Sequence, residues 1–162
     1  MSGRRDSPGV IAPPPLLALA AGLLGLAIDH WLPVGALGAL LSWPARLVVG
    51  GLFLAASAAL AVPALFAFRA AGTHVEPWKP ATALVTGGIF RRLRNPMYVG
   101  IVLLLLGLAV LLASDGMLVM TFVLVPVLHL GVVRREERYL ETKFGDAYRR
   151  YRESVPRYGW PR

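Results

Sequence analysis

The sequence predicts an all-α integral membrane protein with about four transmembrane helices and a cytoplasmic amphipathic helix near its C-terminus. Of its 162 residues, 56% are hydrophobic and only 16% are charged, with a mean hydropathy of +0.60, whereas an average soluble domain carries about 25% charged residues. Four apolar runs are long enough, or nearly so, to cross a hydrocarbon core that needs roughly 20 helical residues. This length fits one membrane domain over residues 1–162. The runs cover residues 14–32, 47–68, 97–113 and 117–133.

The first run begins after Arg4 and Arg5 and ends near Asp29 and His30, which we interpret as boundary residues at the outer interface. An arginine pair before an apolar run is also typical of a signal peptide. No small-residue cleavage site followed by a polar mature region is visible, so we expect an uncleaved anchor.

The second and fourth runs contain Pro63 and Pro126, and each proline is expected to kink its helix because it removes a backbone donor. The apolar, glycine-rich residues 33–43 are expected to lie in the membrane interface. The Ser-Asp-Gly sequence at 114–116 predicts a tight turn that makes the third and fourth runs an antiparallel hairpin.

The distribution of lysine and arginine predicts the orientation. Of the 17 such residues, only Arg46 falls between the first two runs or between the last two; the others precede 14, lie within 69–96, or follow 133. Because cytoplasmic loops are enriched in these residues, both termini and the 69–96 loop should be cytoplasmic, in an inner or plasma membrane. The net charge of +8 would also fit nucleic acid. The basic residues cluster beside apolar runs without a nucleic-acid-binding motif, so we predict no such partner.

The residues after the fourth run predict a helix that leaves the membrane. Residues 134–144 continue the helical pattern, Gly145 suits the position after a helix C-terminus, and Asp146 suits the N-cap of a short second helix. An apolar stripe at three- and four-residue spacing should pack on the membrane surface or on the 69–96 loop. Its members are Leu140, Phe144, Ala147 and Tyr151.

This topology brings residues 82–100 and 134–157 to one membrane face. The Gly87-Gly88 turn allows the backbone to approach a ligand closely. The neighbouring donors, aromatic rings and carboxylate suit a zwitterionic ligand that carries a flat ring or a second cation, and S-adenosylmethionine is one of many ligands with these features. No cysteine is present, which excludes thiolate metal sites, and we predict no metal. The polar and aromatic groups concerned are Arg94, Asn95, Phe90, Tyr98 and Glu136.

Several short sequence blocks follow one another in the second half of the chain. They are Leu84-Val-Thr-Gly-Gly-Ile-Phe90, Arg94-Asn-Pro-Met-Tyr-Val-Gly100, Glu136-Glu-Arg-Tyr-Leu140, Phe144-Gly-Asp-Ala-Tyr148, Tyr151 and Val155-Pro156. In this order the pattern resembles the integral-membrane methyltransferases that include isoprenylcysteine carboxyl methyltransferase and the phospholipid N-methyltransferases. The resemblance covers residues 72–157, and the first two runs match only as generic hydrophobic helices.

The resemblance implies that S-adenosylmethionine donates a methyl group by direct displacement to a hydrophobic or lipid-like carboxylate, thiol or amine. It also implies a site without a Rossmann fold, and the sequence has no GxGxxG turn in a βαβ unit. The implied catalytic residues are Glu136 and Arg135. Glu136 would bind the amino group of the cofactor or offset its positive charge. Arg135, or alternatively Arg152, would orient an anionic acceptor. The implied cofactor contacts are Thr82, Ala83, Leu84, Val85, Phe90, Asn95, Pro96, Met97, Tyr98 and Glu136, with Gly100 and Glu137 in support.

Two positions depart from the family pattern. Many members have His where this chain has Asn95, and an amide does not titrate near neutral pH, which argues against a general base there. The prenylcysteine enzymes carry an arginine one turn before the glutamate, where this chain has Val132. This second departure weakens the case for a carboxylate acceptor.

Simpler interpretations of these residues stay open. Arg91, Arg92 and Arg94 would also serve as a topogenic signal, and the two glutamates would also fit a solvated helix face. Phe144, Tyr148 and Tyr151 are more typical of packing residues. His129 either faces a cavity or donates to a neighbouring helix. The alternatives for the whole chain are a non-catalytic binding or assembly factor on the same scaffold, and a transporter subunit, which the apolar third run disfavours. No oligomeric state is predicted.

Overall fold

In a computed structural model, residues 6–159 are described and contain only helices, turns and irregular segments. This confirms the all-α prediction for that part of the chain; Arg4 and Arg5 lie outside it. The helices are α1 (Pro14–Trp31), α2 (Ala36–Leu40), α3 (Trp43–Ala70), α4 (Pro96–Leu112), α5 (Asp115–Leu128), α6 (Arg134–Phe144) and α7 (Asp146–Ser154), with a 3-10 turn at Gly88–Arg91 and a π-helical segment at His129–Val133.

Within residues 6–159, three helices are long and apolar enough to cross a membrane. They are α1, α3 and the continuous rod Asp115–Phe144, which contains α5, the π-helical segment and α6. The third predicted run forms α4, which is apolar but has only 17 residues. The structure therefore supports an integral membrane protein with three candidate spans.

Helix packing departs from chain order, because α1 packs mainly on α5. Helix α3 packs along α4, and α5 packs against both α1 and α4. The outward faces carry large exposed apolar side chains, among them Leu19, Leu52, Phe66 and Phe122. Such faces suit a lipid surrounding, because an exposed apolar surface of this extent is rare on soluble monomers.

Glycines allow the closest approach between α1 and α5. A Cβ atom added to Gly25 would lie 2.3 Å from the Cα of Met117 and 2.5 Å from its backbone nitrogen. Backbone atoms cannot rotate away as a side chain can, so any larger residue forces the two helices apart.

We predict that Gly25→Ala lowers the free energy of unfolding by about 1–3 kcal/mol, the usual cost of overpacking. Gly51→Ala is the matched control, because Gly51 lies in α3 and an added Cβ atom meets nothing within 4 Å. Thermal unfolding in one detergent compares the variants. Equal midpoints would contradict the close contact.

Aspartates fix the ends of the helices on the side away from α6. Asp29 accepts a hydrogen bond from the backbone nitrogen of Gly116 at 2.7 Å and another from the Ser114 hydroxyl. Asp115 accepts from the backbone nitrogens of Ala36 and Leu37 at 2.7 and 3.0 Å. Asp29 is therefore more than a boundary residue, since it holds α1 to the start of α5.

Three local predictions need correction or extension. The turn before α5 is tighter than predicted, because Ala113 is left-handed (φ 52°) and Ser114 caps the helix, so residues 115–116 already belong to it. The cap of α7 is Gly145 (φ 54°), and no side chain bonds to this helix end. Residues 33–43, which were expected to lie in the membrane interface, include the short helix α2.

Candidate functional site

Two cavities adjoin where α3 ends and α4 begins. The first has an empty volume of about 690 Å³, partly open to solvent, and is lined by the 73–85 loop, α6 and α7. The second has an empty volume of about 610 Å³ and mostly apolar walls from the start of α1, the end of α3 and the start of α4. Residues that line both cavities include Phe90, Arg94, Asn95 and Glu136.

Most of the site residues predicted from the sequence line one cavity or the other. Residues 83–85 and Glu137 line the first, and residues 96–98 line the second. Because these segments are far apart in the chain, their convergence depends on α6 returning to the start of α4. The structure thus brings together Ala83, Leu84, Val85, Phe90, Asn95, Pro96, Met97, Tyr98, Glu136 and Glu137.

Three other predicted residues lie outside both cavities. Thr82 closes the loop on itself, with its hydroxyl donating to the carbonyl of Gly72 at 3.1 Å. The carbonyl of Gly100 accepts from the Ser57 hydroxyl at 2.8 Å, in the contact between α3 and α4. Arg135 donates to the carbonyl of Gly9 at 2.8 Å. In this structure their contacts are with the protein's own chain.

Glu136 lies where the two cavities meet. Its Oε2 accepts a hydrogen bond of 2.7 Å from the hydroxyl of Tyr98, which fixes the carboxylate between α6 and α4. Its Oε1 accepts no hydrogen bond within residues 6–159. The carboxylate is therefore held by one oxygen and offers the other to a ligand in either cavity.

Glu137 has a different set of partners, although it is the next residue. Its Oε1 lies 2.8 Å from a guanidinium nitrogen of Arg94, whose side chain is only 4% exposed. The guanidinium of Arg157 donates to Oε1 at 2.9 Å and to Oε2 at 2.7 Å. Both oxygens of Glu137 are occupied by arginine, so this carboxylate is less available to a ligand than Glu136.

The C-terminal segment 155–158 binds along the start of α4. Arg94 donates from its backbone nitrogen to the carbonyl of Pro156 and from Nε to that of Val155, both at 3.0 Å. The amide of Asn95 donates to the carbonyl of Arg157 at 3.3 Å. Arg157 was not among the predicted site residues, because an arginine beyond the last predicted helix carries no local signal for an ion pair across the fold.

Most of the predicted apolar stripe on α6 and α7 packs on the 84–97 segment, which agrees with the prediction that the stripe covers the loop. Its member Ala147 is exposed instead, and Tyr148 takes the buried position. Tyr148 and Tyr151 are buried with Phe90, and the hydroxyl of Tyr151 donates to the Phe90 carbonyl at 2.8 Å. Burial, together with the nearby Glu137 carboxylate, raises the pKa of Tyr148 to about 12. The packing interpretation of these tyrosines is confirmed, and they form part of the wall of the first cavity.

His129 opens the π-helical segment and bonds to the tail rather than to a neighbouring helix. Its Nδ1 lies 2.8 Å from the hydroxyl of Tyr158. We expected His129 to face a cavity or to bond to a neighbouring helix, and its partner is Tyr158 instead. Segment 155–158 is therefore held at both of its ends.

Comparison with known proteins adds an independent line of argument. A family model described as phospholipid methyltransferase matches residues 45–147. Over 76 residues the chain is 42% identical to protein-S-isoprenylcysteine O-methyltransferase of Schizosaccharomyces pombe, covering 45% of this chain and 31% of that protein. Over 62 residues it is 37% identical to an uncharacterized protein of Haemophilus influenzae, covering 38% of this chain and 98% of that one. No solved structure matches the chain.

Proposed function

The chain belongs to the phospholipid methyltransferase family, and from this premise we propose that it transfers a methyl group from S-adenosylmethionine to a hydrophobic acceptor in the membrane. The observation that carries the proposal is the position of Glu136, which lines both cavities and keeps one carboxylate oxygen for a ligand. A methyl transfer needs two ligands whose reacting atoms meet, and adjoining cavities supply that arrangement.

The first cavity fits the methyl donor. It is partly open to solvent, and its lining residues include residues 83–85, Phe90 and the acidic Glu136. We assign Glu136 to the ammonium group or to the positive charge of the sulfonium, and the loop and Phe90 to the adenosine. When bound, the donor supplies an electrophilic methyl group, and the chain positions the acceptor in line with it. Such alignment removes much of the entropic part of the barrier.

The second cavity fits a hydrophobic acceptor. Its apolar walls come from Phe68, Met97 and Ile101 of membrane helices, and from Pro14 at the start of α1. We propose that the acceptor enters from the bilayer and presents its nucleophile at Glu136. Asn95 cannot serve as a general base, so an acceptor already deprotonated at neutral pH is favoured.

The other predicted residues receive narrower roles. Tyr98 holds the carboxylate of Glu136, Asn95 lines both cavities, residues 96–97 line the second, and Glu137 supports the site through Arg94. Arg135 was expected to orient an anionic acceptor. Because it lies outside both cavities and bonds to Gly9, we propose that it orients the N-terminal segment instead. Thr82 acts by closing its loop, and Gly100 acts through the contact between α3 and α4.

For the topology, we propose that α4 is a fourth passage through the membrane and that both cavities lie at the cytoplasmic side. The support is the charge distribution of the sequence, with Arg46 the exception among the lysines and arginines. Helix α4 would need local thinning of the bilayer or a small tilt of its neighbours, since 17 residues span about 25 Å.

Two experiments test the function. Calorimetry with the purified protein in detergent should detect S-adenosylmethionine binding, and its absence at millimolar ligand would contradict the proposal. Incubation with donor carrying a labelled methyl group and a membrane lipid extract should move label into an extractable hydrophobic product. Binding without transfer to any acceptor would favour a non-catalytic binding protein on the same scaffold.

A further inference from the structure

The residues before α1 form an ordered strap along α6 and the π-helical segment. We call residues 6–11 the N-terminal strap. The backbone nitrogen of Ile11 donates to the carbonyl of Gly131 at 3.2 Å, and the carbonyl of Gly9 accepts from Arg135 at 2.8 Å. Asp6 pairs with Lys143 at 2.7 Å. Pro8, in the middle of the strap, lines the first cavity.

The loop on the opposite wall of that cavity is tied mainly to itself. The hydroxyl of Thr73 accepts from the backbone nitrogens of Thr82 and Ala83 at 2.9 and 3.4 Å. Gly72 accepts from the Thr82 hydroxyl. These bonds join the two ends of the 72–83 loop to each other. Other contacts attach the loop to the helices.

Tyr139 supplies such an attachment. Its hydroxyl accepts a hydrogen bond of 3.1 Å from the backbone nitrogen of Ala81 in the loop and donates one of 2.8 Å to Oδ1 of Asp6 in the strap. It also accepts from Lys143 at 3.0 Å. A phenol has one donor and two acceptor positions, so all three are used to join the loop, the strap and α6.

The charges favour this arrangement at neutral pH. The hydrogen bond from Lys143, and next that from Tyr139, hold the pKa of Asp6 below its ordinary value. A depressed carboxyl pKa stabilises the contact above the ordinary value, and this stabilisation is lost only as the pH falls through the lowered one. Asp6 therefore stays ionised throughout the physiological range.

We propose that Tyr139 is a positioning residue whose hydroxyl couples the N-terminal strap to the 72–83 loop, so that both walls of the first cavity open and close together. The identity of the ligand that passes between them rests on the function proposed above. The coupling itself rests only on the contacts of Tyr139.

Tyr139→Phe tests the coupling, because it removes the hydroxyl and keeps the ring. In the full chain without ligand, hydrogen–deuterium exchange of peptides covering residues 6–11 and 72–83 should accelerate together by about three- to tenfold, as expected for the one hydrogen bond to Tyr139 that each segment loses. S-adenosylmethionine should dissociate faster by a similar factor.

Asp6→Asn is the second variant, since it alters the strap partner without touching the cavity. It should reproduce the faster exchange in both segments. Asp146→Asn is the matched control, because that carboxylate pairs with Arg149 on exposed α7 and contacts neither segment. The control should exchange in these segments as the unmodified protein does.

Unchanged exchange of the loop in both Tyr139→Phe and Asp6→Asn would overturn the coupling. Faster exchange of one segment alone would overturn it as well, because the inference requires that both respond. Failure of the unmodified protein to bind S-adenosylmethionine would contradict the proposed function instead, and the exchange experiment without ligand would still decide whether the coupling exists.

Discussion

Replacing Glu136 by glutamine should weaken S-adenosylmethionine binding by about ten- to a hundredfold, because a hydrogen bond to a charged group contributes about 1.5–3 kcal/mol. Glutamine keeps the size of the side chain and an oxygen that can accept from Tyr98. What it removes is the negative charge that we place opposite the ammonium or sulfonium. Calorimetry with purified protein measures the loss of affinity.

Glu141→Gln is the control for this variant. It makes the same chemical change on the same helix, but Glu141 pairs with Arg152 at 2.7 Å and lines neither cavity. The affinity of this variant for the donor should stay within about twofold of that of the unmodified protein, because a surface ion pair contributes little energy. Equal losses in the two variants would contradict the assignment of Glu136.

The helices were predictable because their signals are long and local. Each apolar run forms a helix, and most of the apolar stripe of the tail packs against the loop that it was expected to cover. The errors occur where one or two residues decide the geometry. Ala113 rather than residues 114–116 makes the turn before α5, since Ser114 supplies the cap.

The site was predictable only as two segments that share a membrane face. Nothing in the sequence predicts that the hydroxyl of Tyr98 bonds Glu136, because the two residues are 38 positions apart and Tyr98 was expected to contact the cofactor. The contacts of Arg157 and of Tyr139 with distant segments depend likewise on how the helices pack. No periodicity in the chain encodes them.

The two adjacent glutamates show how helix geometry separates roles. Successive residues of an α-helix point about 100° apart, so Glu136 and Glu137 cannot face the same partners. Glu136 is held by one tyrosine and keeps an oxygen for a ligand, whereas Glu137 lies between Arg94 and Arg157. A sequence pattern that treats them as one acidic pair gives both the same role, whereas we propose that Glu136 binds the ligand and Glu137 supports the site.

Glu137→Gln should lower the free energy of unfolding by about 3–5 kcal/mol, the usual effect of removing one partner from a buried ion pair. The buried guanidinium of Arg94 would lose its anionic partner and keep neutral ones, which are the Tyr148 hydroxyl, the Val155 carbonyl and the new amide oxygen. Thermal unfolding in detergent measures the change. Asp146→Asn, at an exposed pair, should alter stability by less than about 1 kcal/mol.

The same variant separates support from direct binding. At a temperature where Glu137→Gln is folded, its affinity for S-adenosylmethionine should stay within about threefold of that of the unmodified protein. A threefold change corresponds to less than about 1 kcal/mol of binding free energy. Glu136→Gln should show the reverse, with weaker binding and a nearly unchanged unfolding midpoint. Because neither variant alone distinguishes a ligand contact from a packing defect, the crossed result is the decisive one. A Glu137→Gln protein that keeps its stability but loses the ligand would place Glu137 in direct contact with the donor.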